Sequence, residues 1–304
     1  MRTRTLGAEG PEVTVVGLGT NNFGMRIDYD ASKAVVDEAI EQGITLFDTA
    51  DVYTQGTSEE FIGRALEGRR DAVLVATKFG KPMDANPSDR RGSREYIRWA
   101  VEGSLQRLRS DYIDVYQMHE PDENTPLEET LGALDELVRE GKVRYIGSSN
   151  YSAAQLEQAN SLSVDRGWAR FVSAQNHYSL VERDVERDVL PKCEELGIGQ
   201  LPYFPLASGL LTGKYTRGEQ ATEGRLAGRD IADAQWDRAE AVQRYADERN
   251  VPILHVAIGG LLALWPSISS VIAGATKPEQ VRANVAAGGW QPSQADVDAL
   301  KALG

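Results

Sequence analysis

Four side chains that could transfer a proton occur at or just after the ends of three short apolar segments. Asp48 and Tyr53 follow the first, and Lys78 and His119 end the next two. A phenol has a pKa of about 10, and a neighbouring ammonium favours its ionised form, so we expect Lys78 to bring titration of Tyr53 nearer neutrality. Asp48 would hold the ammonium in place, and His119 would orient a substrate oxygen through a ring N–H. These residue types predict proton donation to a carbonyl group.

The segments that carry these residues belong to a regular alternation. Short apolar runs rich in β-branched residues are each followed by a longer stretch with helical spacing, which predicts parallel strands joined by crossover helices. Eight candidate strands cover residues 13–19, 44–49, 72–77, 112–118, 143–148, 171–175, 199–203 and 270–274. Among the helices, 96–108 and 127–138 have one apolar stripe each, and Ser58, Ser93 and Ser152 are candidate N-caps. The alternation predicts an α/β fold, a (β/α)8 TIM barrel.

Two segments lie outside this repeat. Residues 2–15 predict an N-terminal β-hairpin that would plug one barrel end. Residues 212–235, rich in glycine and charge, predict a long loop that would cover a bound ligand, before a helix over 234–249. No linker or compositional break interrupts the chain, so we predict one domain over residues 1–304. Because barrel active sites lie at the C-terminal ends of the strands, the four proton-transfer side chains would converge there, framed by long loops.

The charge and composition of the chain limit which molecules it is expected to bind. The chain has 33 basic and 46 acidic residues and a formal net charge of -13, which disfavours binding to nucleic acid or to anionic membranes. Neither a long apolar run nor a signal-type cleavage site is recognisable, so we predict a cytoplasmic protein without a membrane partner. The single cysteine, Cys193, lies in an amphipathic stretch and is predicted to be a packed thiol.

Two other kinds of site fit the sequence less well. Gly17 and Gly19 could begin a dinucleotide-binding glycine loop, but Asn22 occupies the third glycine position and no apolar helix opens there. In a barrel this turn would instead face the cofactor, with Thr20, Asn21 and Asn22 lining the substrate mouth. The three histidines are too scattered to form an obvious zinc site, so no metal is predicted.

The sequence closely resembles the aldo-keto reductase superfamily, nearly from end to end. The resemblance rests on ordered segments, most of them at predicted strand ends: 46–53 with 56–59, 104–108 leading into 112–119, 147–150, 203–206 with 208–214, and 274–280 ending at Asn284. It implies reduction of aldehydes or ketones to alcohols with a nicotinamide cofactor. It also implies that Asp48, Tyr53, Lys78 and His119 form the family's catalytic tetrad, with Tyr53 as the general acid.

The same resemblance implies the cofactor contacts. Ser149, Asn150 and Gln175 would bind the nicotinamide carboxamide, and Tyr203 would stack on the ring. Gly209 and Leu210 would lie along the pyrophosphate, and residues 274–284 would hold the adenosine end. The full expected set is Thr20, Ser149, Asn150, Gln175, Tyr203, Pro205, Leu206, Ser208, Gly209, Leu210, Lys214, Gly274, Ala275, Thr276, Lys277, Gln280 and Asn284.

The phosphate pocket departs from one branch of the superfamily, which has a basic residue in place of Gly274 and an arginine in place of Gln280. Lys277 remains as a cation, with Arg282 nearby, and a lysine holds phosphate as a point charge. We therefore expect NADPH as cofactor, with NADH possible, and a small carbonyl compound as substrate. Two alternatives stay open: an NADPH-binding redox-sensing or regulatory subunit with little turnover, and a barrel isomerase or lyase that needs no nicotinamide.

Overall fold

Two sheets organise the chain, whose computed structural model describes residues 1–219 and 224–303. The first is a hairpin of β1 (Thr3–Thr5) and β2 (Glu12–Thr14). The second has eight parallel strands. These are β3 (Val16–Gly19), β4 (Leu46–Asp48), β5 (Leu74–Phe79), β6 (Ile113–Met118), β7 (Val143–Ser149), β8 (Phe171–Gln175), β9 (Gly199–Gln200) and β10 (Val271–Gly274). They pair in chain order from β3 to β9, with β10 beside β3.

The eight-stranded sheet closes on itself between β9 and β10. Ser269 donates its backbone N–H to the Gln200 carbonyl at 3.0 Å, and Ile272 donates to the Pro202 carbonyl at 3.2 Å. The predicted (β/α)8 barrel with an N-terminal hairpin is confirmed. Some boundaries were wrong. The expected strand 13–19 is divided at Val15, with its first part in the hairpin and its second part in the barrel. The expected strand 199–203 ends at Gln200, and the expected strand 72–77 is shifted to Leu74–Phe79.

Helices cover the outside of the barrel. They are α1 (Tyr29–Glu41), α2 (Thr57–Ala65), α3 (Arg94–Leu108), α4 (Leu127–Arg139), α5 (Ala153–Arg166), α6 (Val189–Leu196), α7 (Asp233–Glu248), α8 (Ile253–His255), α9 (Leu261–Leu264), α10 (Pro278–Gly288) and α11 (Gln294–Ala302). Ser93 and Ser152 are N-caps, as predicted, but Ser58 is not. The N-cap of α2 is Gly56, and the Ser58 hydroxyl instead contacts the Thr20 carbonyl at 3.0 Å.

The hairpin closes the N-terminal end of the barrel. Leu6 and Val13 are fully buried and pack with Leu46 and Val115 inside the ring of strands. Ala8 at the hairpin tip donates its backbone N–H to the Gly197 carbonyl at 2.7 Å. With this end filled by apolar side chains, an accessible cleft has to lie at the opposite end, where β3 to β10 terminate.

The described part of the segment between β9 and α7 is mostly irregular, as expected for the predicted loop 212–235. Residues Ala207–Thr212 form short helical turns interrupted by a kink at Ser208 and Gly209, and α7 begins at Asp233. Part of the predicted loop, residues 220–223, lies outside the described residues. The predicted helix 234–249 is confirmed within one residue at each end.

Cys193 is fully buried in α6, and burial raises the pKa of its thiol to about 12. The prediction of a packed thiol is confirmed. No helix among the described residues is both long and apolar enough to cross a membrane.

Close packing of α2 on α3 generates a stability prediction. A Cβ at Gly63 would lie 2.6 Å from the Leu108 carbonyl carbon, which is backbone and cannot move aside. We expect Gly63→Ala to lower the free energy of unfolding by about 1–3 kcal/mol through overpacking, measured by urea titration.

Gly103→Ala is the matched control within α3. A Cβ there would meet only the end of the flexible Arg107 side chain, at 2.9 Å. Because alanine is a better helix former, we expect this variant to be as stable as the parent or slightly more stable. Equal losses in the two variants would contradict the packing argument.

Candidate active site

Lys78 organises the C-terminal end of the barrel. Its side chain projects from β5, is fully buried, and donates to three oxygens. The Nζ atom lies 2.9 Å from Asp48 Oδ2, 2.7 Å from the Thr49 carbonyl and 3.4 Å from Tyr53 Oη. An ammonium has three N–H donors, so these contacts use all of them. Burial alone would lower the pKa of Lys78, but Asp48 and Tyr53 raise it above its ordinary value, and the group stays charged.

Asp48 connects this ammonium to a third strand. One carboxylate oxygen accepts from Lys78, and the other accepts from Gln175 Nε2 at 2.9 Å. Asp48 ends β4, Lys78 lies in β5 and Gln175 ends β8. The carboxylate therefore bridges opposite sides of the barrel mouth, and both its oxygens are held.

Tyr53 lies in the turn between β4 and α2. Burial raises the pKa of its phenol above the ordinary value, and the Lys78 charge, which lowers it, does not compensate fully. The expectation that Lys78 would bring Tyr53 towards neutral titration is therefore wrong for this arrangement. The physical reason is desolvation, which penalises the phenolate more than one ammonium stabilises it. Tyr53 is a protonated phenol at neutral pH.

His119 ends β6 and faces Tyr53. The two rings meet edge to face, with centroids 6.0 Å apart. Burial lowers the pKa of His119 to about 2, and the Lys78 and Lys81 charges act in the same direction. The imidazole is therefore neutral, with one ring N–H. Its Nδ1 atom is buried without a hydrogen-bond partner among the described residues.

A cleft of about 550 Å³ opens above these residues. Asp48, Tyr53 and His119 line it, and Lys78 lies beneath its floor. The lining continues through the ends of β7, β8 and β10 to the start of α10. A cleft of this size is within the usual range for cofactor sites.

The middle of the cleft carries the polar set expected for a carboxamide. Ser149, Asn150 and Gln175 all line it. Asn150 adopts a φ of 61°, donates to the His119 carbonyl at 2.9 Å and accepts from Tyr203 Oη at 2.9 Å. The Tyr203 ring also lines the cleft, and His177 stacks on it with centroids 5.3 Å apart and planes 7° apart.

The expected pyrophosphate segment follows Tyr203. Ser208 and Gly209 have positive φ angles of 59° and 106°, which turn the chain sharply along the cleft. A positive φ at Gly209 costs no steric strain, whereas Ser208 adopts it at a cost. The predicted residues of this segment that line the cleft are Pro205, Leu206, Ser208, Gly209 and Lys214. Leu210 is buried and does not line it.

The far end of the cleft is formed by the β10–α10 turn. Gly274, Thr276, Gln280 and Asn284 line it, and the Thr276 backbone N–H donates to Gln280 Oε1 at 2.7 Å. Ala275 is buried behind the surface.

The two cations expected near this end of the cleft, Lys277 and Arg282, differ in their ion-pair contacts. Lys277 is exposed outside the cleft. Arg282 is engaged by Glu38 and Glu279, the first at 2.5 Å. Of these two cations, Lys277 has no ion-pair partner among residues 1–219 and 224–303, whereas Arg282 has two.

Several lining residues were not predicted. Thr20, Asn21 and Asn22 were expected at the mouth and do line it, but Arg26, Lys81 and Arg225 were not singled out. Arg225 lies in the glycine-rich segment whose covering role was predicted without naming a side chain. His177 was not singled out either, and its position two residues after Gln175 is the one sequence signal for its contact with Tyr203.

Comparison with known proteins supports the same family. The Aldo/keto reductase family model matches residues 15–304. Uncharacterized oxidoreductase YrpG of Bacillus subtilis (strain 168) is 39% identical over 294 residues, covering 93% of this chain and 89% of that protein. A probable voltage-gated potassium channel subunit beta from Oryza sativa subsp. japonica is 35% identical, covering 94% and 91%. Versiconal hemiacetal acetate reductase of Aspergillus parasiticus is 32% identical, covering 86% of each.

The family model covers all eight strands of the barrel and all the residues described above as lining the cleft. The chain belongs to the aldo/keto reductase family.

Proposed function

We propose that this protein reduces aldehydes or ketones to alcohols with NADPH, and that Tyr53 is the general acid. One observation supports this most strongly: Tyr53, Lys78, Asp48 and His119 come from three neighbouring strand ends and meet at the floor of one cleft. Family membership and the two relatives named as an oxidoreductase and a reductase agree with it.

The cleft fits a nicotinamide dinucleotide in the chemistry of its lining. Ser149, Asn150 and Gln175 offer amide and hydroxyl groups to a carboxamide, and Tyr203 offers a flat ring supported by His177. Thr276, Gln280 and Asn284 would hold the adenosine end. When bound, the reduced cofactor supplies the hydride that the carbonyl carbon accepts.

Side chains of the protein supply the proton that the carbonyl oxygen of the substrate accepts. Tyr53 is protonated at neutral pH and donates to the carbonyl oxygen as negative charge develops there. Lys78 stabilises the resulting phenolate through the 3.4 Å contact. Neutral His119 donates its ring N–H to the same oxygen and orients it. Because Gln175 holds Asp48 and Asp48 holds Lys78, these charges are arranged before reaction, which reduces the cost of reorganisation.

A second candidate function is an NADPH-binding regulatory or redox-sensing subunit with little turnover. The observation in its favour is the 35% identity to a protein named as a probable potassium channel subunit beta. The two functions predict different rates of NADPH oxidation. Steady consumption of NADPH with a panel of aromatic and dicarbonyl aldehydes supports the reductase, and binding of NADPH without consumption supports the regulatory subunit.

The proposed acid role of Tyr53 is tested by Tyr53→Phe, which removes only the hydroxyl. We expect kcat for a generic aldehyde to fall by about 10²–10⁴-fold, while NADPH still quenches intrinsic fluorescence with a similar Kd. Tyr112→Phe is the control, since its hydroxyl contacts Asp71 on the exposed surface at 2.6 Å. Retained turnover in Tyr53→Phe would remove this residue from the acid role.

The pH dependence of reduction is the second prediction. The pKa of His119 is lowered to about 2 and that of Tyr53 is raised above 10, so neither group titrates between them. We expect kcat/KM for aldehyde reduction at saturating NADPH to be flat from about pH 6 to 9. A break near 6.5, the ordinary value for histidine, that disappears in His119→Gln would show instead that the imidazole titrates.

Cofactor preference is the third prediction. We propose NADPH as the preferred cofactor with NADH accepted, because Lys277, unlike Arg282, pairs with no carboxylate among the described residues beside the adenosine end. Losing one exposed point-charge contact costs about 1 kcal/mol, so we expect Lys277→Ala to raise the Kd of NADPH about fivefold and leave that of NADH unchanged. Arg282→Ala should change neither Kd, because its guanidinium is committed to Glu38 and Glu279. Equal effects of Lys277→Ala on both cofactors would contradict phosphate binding there.

A further inference from the structure

The phenol ring of Tyr203, which lines the cleft, is held from three sides. His177 stacks on it, with ring centroids 5.3 Å apart and planes 7° apart. The Phe204 ring lies roughly perpendicular to both, with its centroid 5.3 Å from that of Tyr203 and 5.8 Å from that of His177. The Tyr203 hydroxyl donates to Asn150 Oδ1 at 2.9 Å. The plane of the phenol ring is therefore fixed by the protein itself.

The backbone beyond two neighbouring strand ends brings His177 and Tyr203 together. The two residues form an isolated parallel bridge just after β8 and β9. Tyr203 donates its backbone N–H to the Asn176 carbonyl at 3.1 Å, and Tyr178 donates to the Tyr203 carbonyl at 3.4 Å. Paired strands lie about 4.8 Å apart, so side chains at paired positions are neighbours. The stack thus follows from the register of the backbone.

His177 occupies the face of the phenol ring that is turned away from the cleft. Tyr203 and Phe204 line the cleft, whereas His177 is exposed to solvent and is not among the described residues that line it. The opposite face of the phenol ring is the one available to a nicotinamide ring. A bound nicotinamide and the His177 imidazole would therefore lie on two sides of the same phenol ring.

The charge of this imidazole changes in mildly acidic solution. Partial burial lowers the pKa of His177 below its ordinary value of 6.5, and the Glu182 charge opposes this shift. Glu182 is itself held by Gln235 of α7, whose Nε2 atom donates to it at 2.6 Å. The imidazole is therefore neutral at pH 7 and above, and it gains a positive charge as the pH falls below 6.5.

Other charged and titratable groups lie around the same rings. Burial, the Tyr53 phenol and the Glu120 carboxylate, in that order, raise the pKa of Tyr203. The Arg225 guanidinium lies 5.1 Å from the centroid of the Phe204 ring. His177 is the titratable group that stacks on the Tyr203 ring itself, so its charge acts directly across that ring.

We propose that His177 is a positioning residue for the nicotinamide ring and that protonation of its imidazole favours binding of NADPH over NADP+. This proposal rests on the cofactor use proposed above. The oxidised nicotinamide ring carries a positive charge and the reduced ring is neutral. A cationic imidazole behind Tyr203 therefore repels the oxidised ring alone, whereas a neutral imidazole supports the phenol ring equally for both.

The ratio of two dissociation constants, Kd of NADP+ over Kd of NADPH, tests the proposal. Both constants are measured by quenching of intrinsic fluorescence between about pH 5 and 8, soon after mixing because NADPH decomposes in acid. Titration of the phosphate groups that the two cofactors share cancels in the ratio. For two unit charges separated by one interposed ring, we expect the ratio to rise about two- to twentyfold from pH 8 to pH 5.

Two variants at this position separate charge from packing. His177→Phe keeps a flat ring that cannot be charged, and we expect its ratio to be independent of pH. His177→Arg places a planar group with a permanent charge there, and we expect its ratio to be raised already at pH 8. His255→Gln is the control, because His255 lies in α8 and does not line the cleft; its ratio should follow that of the parent.

Linkage supplies a second readout. Because coupling between two sites is reciprocal, NADP+ has to lower the pKa of His177 more than NADPH does. The ring-proton NMR signal of His177, assigned by its loss in His177→Phe, is followed against pH in each complex. Equal pKa values of His177 in the two complexes would contradict repulsion across the ring.

The outcomes distinguish this proposal from the reductase function. Binding of both cofactors with the expected pH-dependent ratio supports the role of His177 even if no aldehyde is reduced, a result that would contradict only the proposed turnover. A ratio that is constant in the parent, unchanged in His177→Arg at pH 8, or still rising in His177→Phe overturns the role of His177 alone. If neither cofactor binds, the proposed cofactor site and the role of His177 are both wrong.

Discussion

The Lys78 ammonium is fully buried, and its three N–H groups meet Asp48, the Thr49 carbonyl and Tyr53. A buried charge of this kind is tolerated only when it is paired and all its donors are satisfied. Removing one partner of a buried pair typically costs about 3–5 kcal/mol. The Lys78 ammonium thus fixes β4, β5 and the β4–α2 turn relative to one another, and the other residues of the cleft lie around it.

The barrel explains why these groups can meet at all. Parallel strands all end at the same rim, so residues far apart in sequence, such as Asp48 and Gln175, approach within 2.9 Å. The hairpin fills the opposite end with Leu6 and Val13, so the interior is packed below the ammonium. Positional accuracy at the rim comes from this packed interior, since side chains on short strand ends have little freedom to move.

Much of this arrangement was predictable from the sequence because it depends on the spacing of apolar residues and on the order of strands and helices along the chain. The alternation of apolar runs and helical stretches predicted eight strands, and the residues at their ends predicted where the cleft would lie. Ser58 and Val15 were misassigned because capping and strand division depend on tertiary contacts: Ser58 bonds to the neighbouring Thr20 turn, and Val15 separates two sheets. The pKa of Tyr53 was misjudged because a sequence shows the neighbouring cation but not the extent of desolvation. Arg225 was missed for a similar reason, since nothing local distinguishes it from other charged residues of a glycine-rich segment.

Cys193 lies on the buried face of α6, fully shielded from solvent, and burial raises the pKa of its thiol to about 12. Because thiol reagents attack the thiolate, this side chain is inert under ordinary labelling conditions. It is also the single cysteine of the sequence. A cysteine introduced at any chosen surface position would therefore react alone, which makes the natural chain a suitable background for attaching a fluorescent or spin probe to the segment over the barrel mouth.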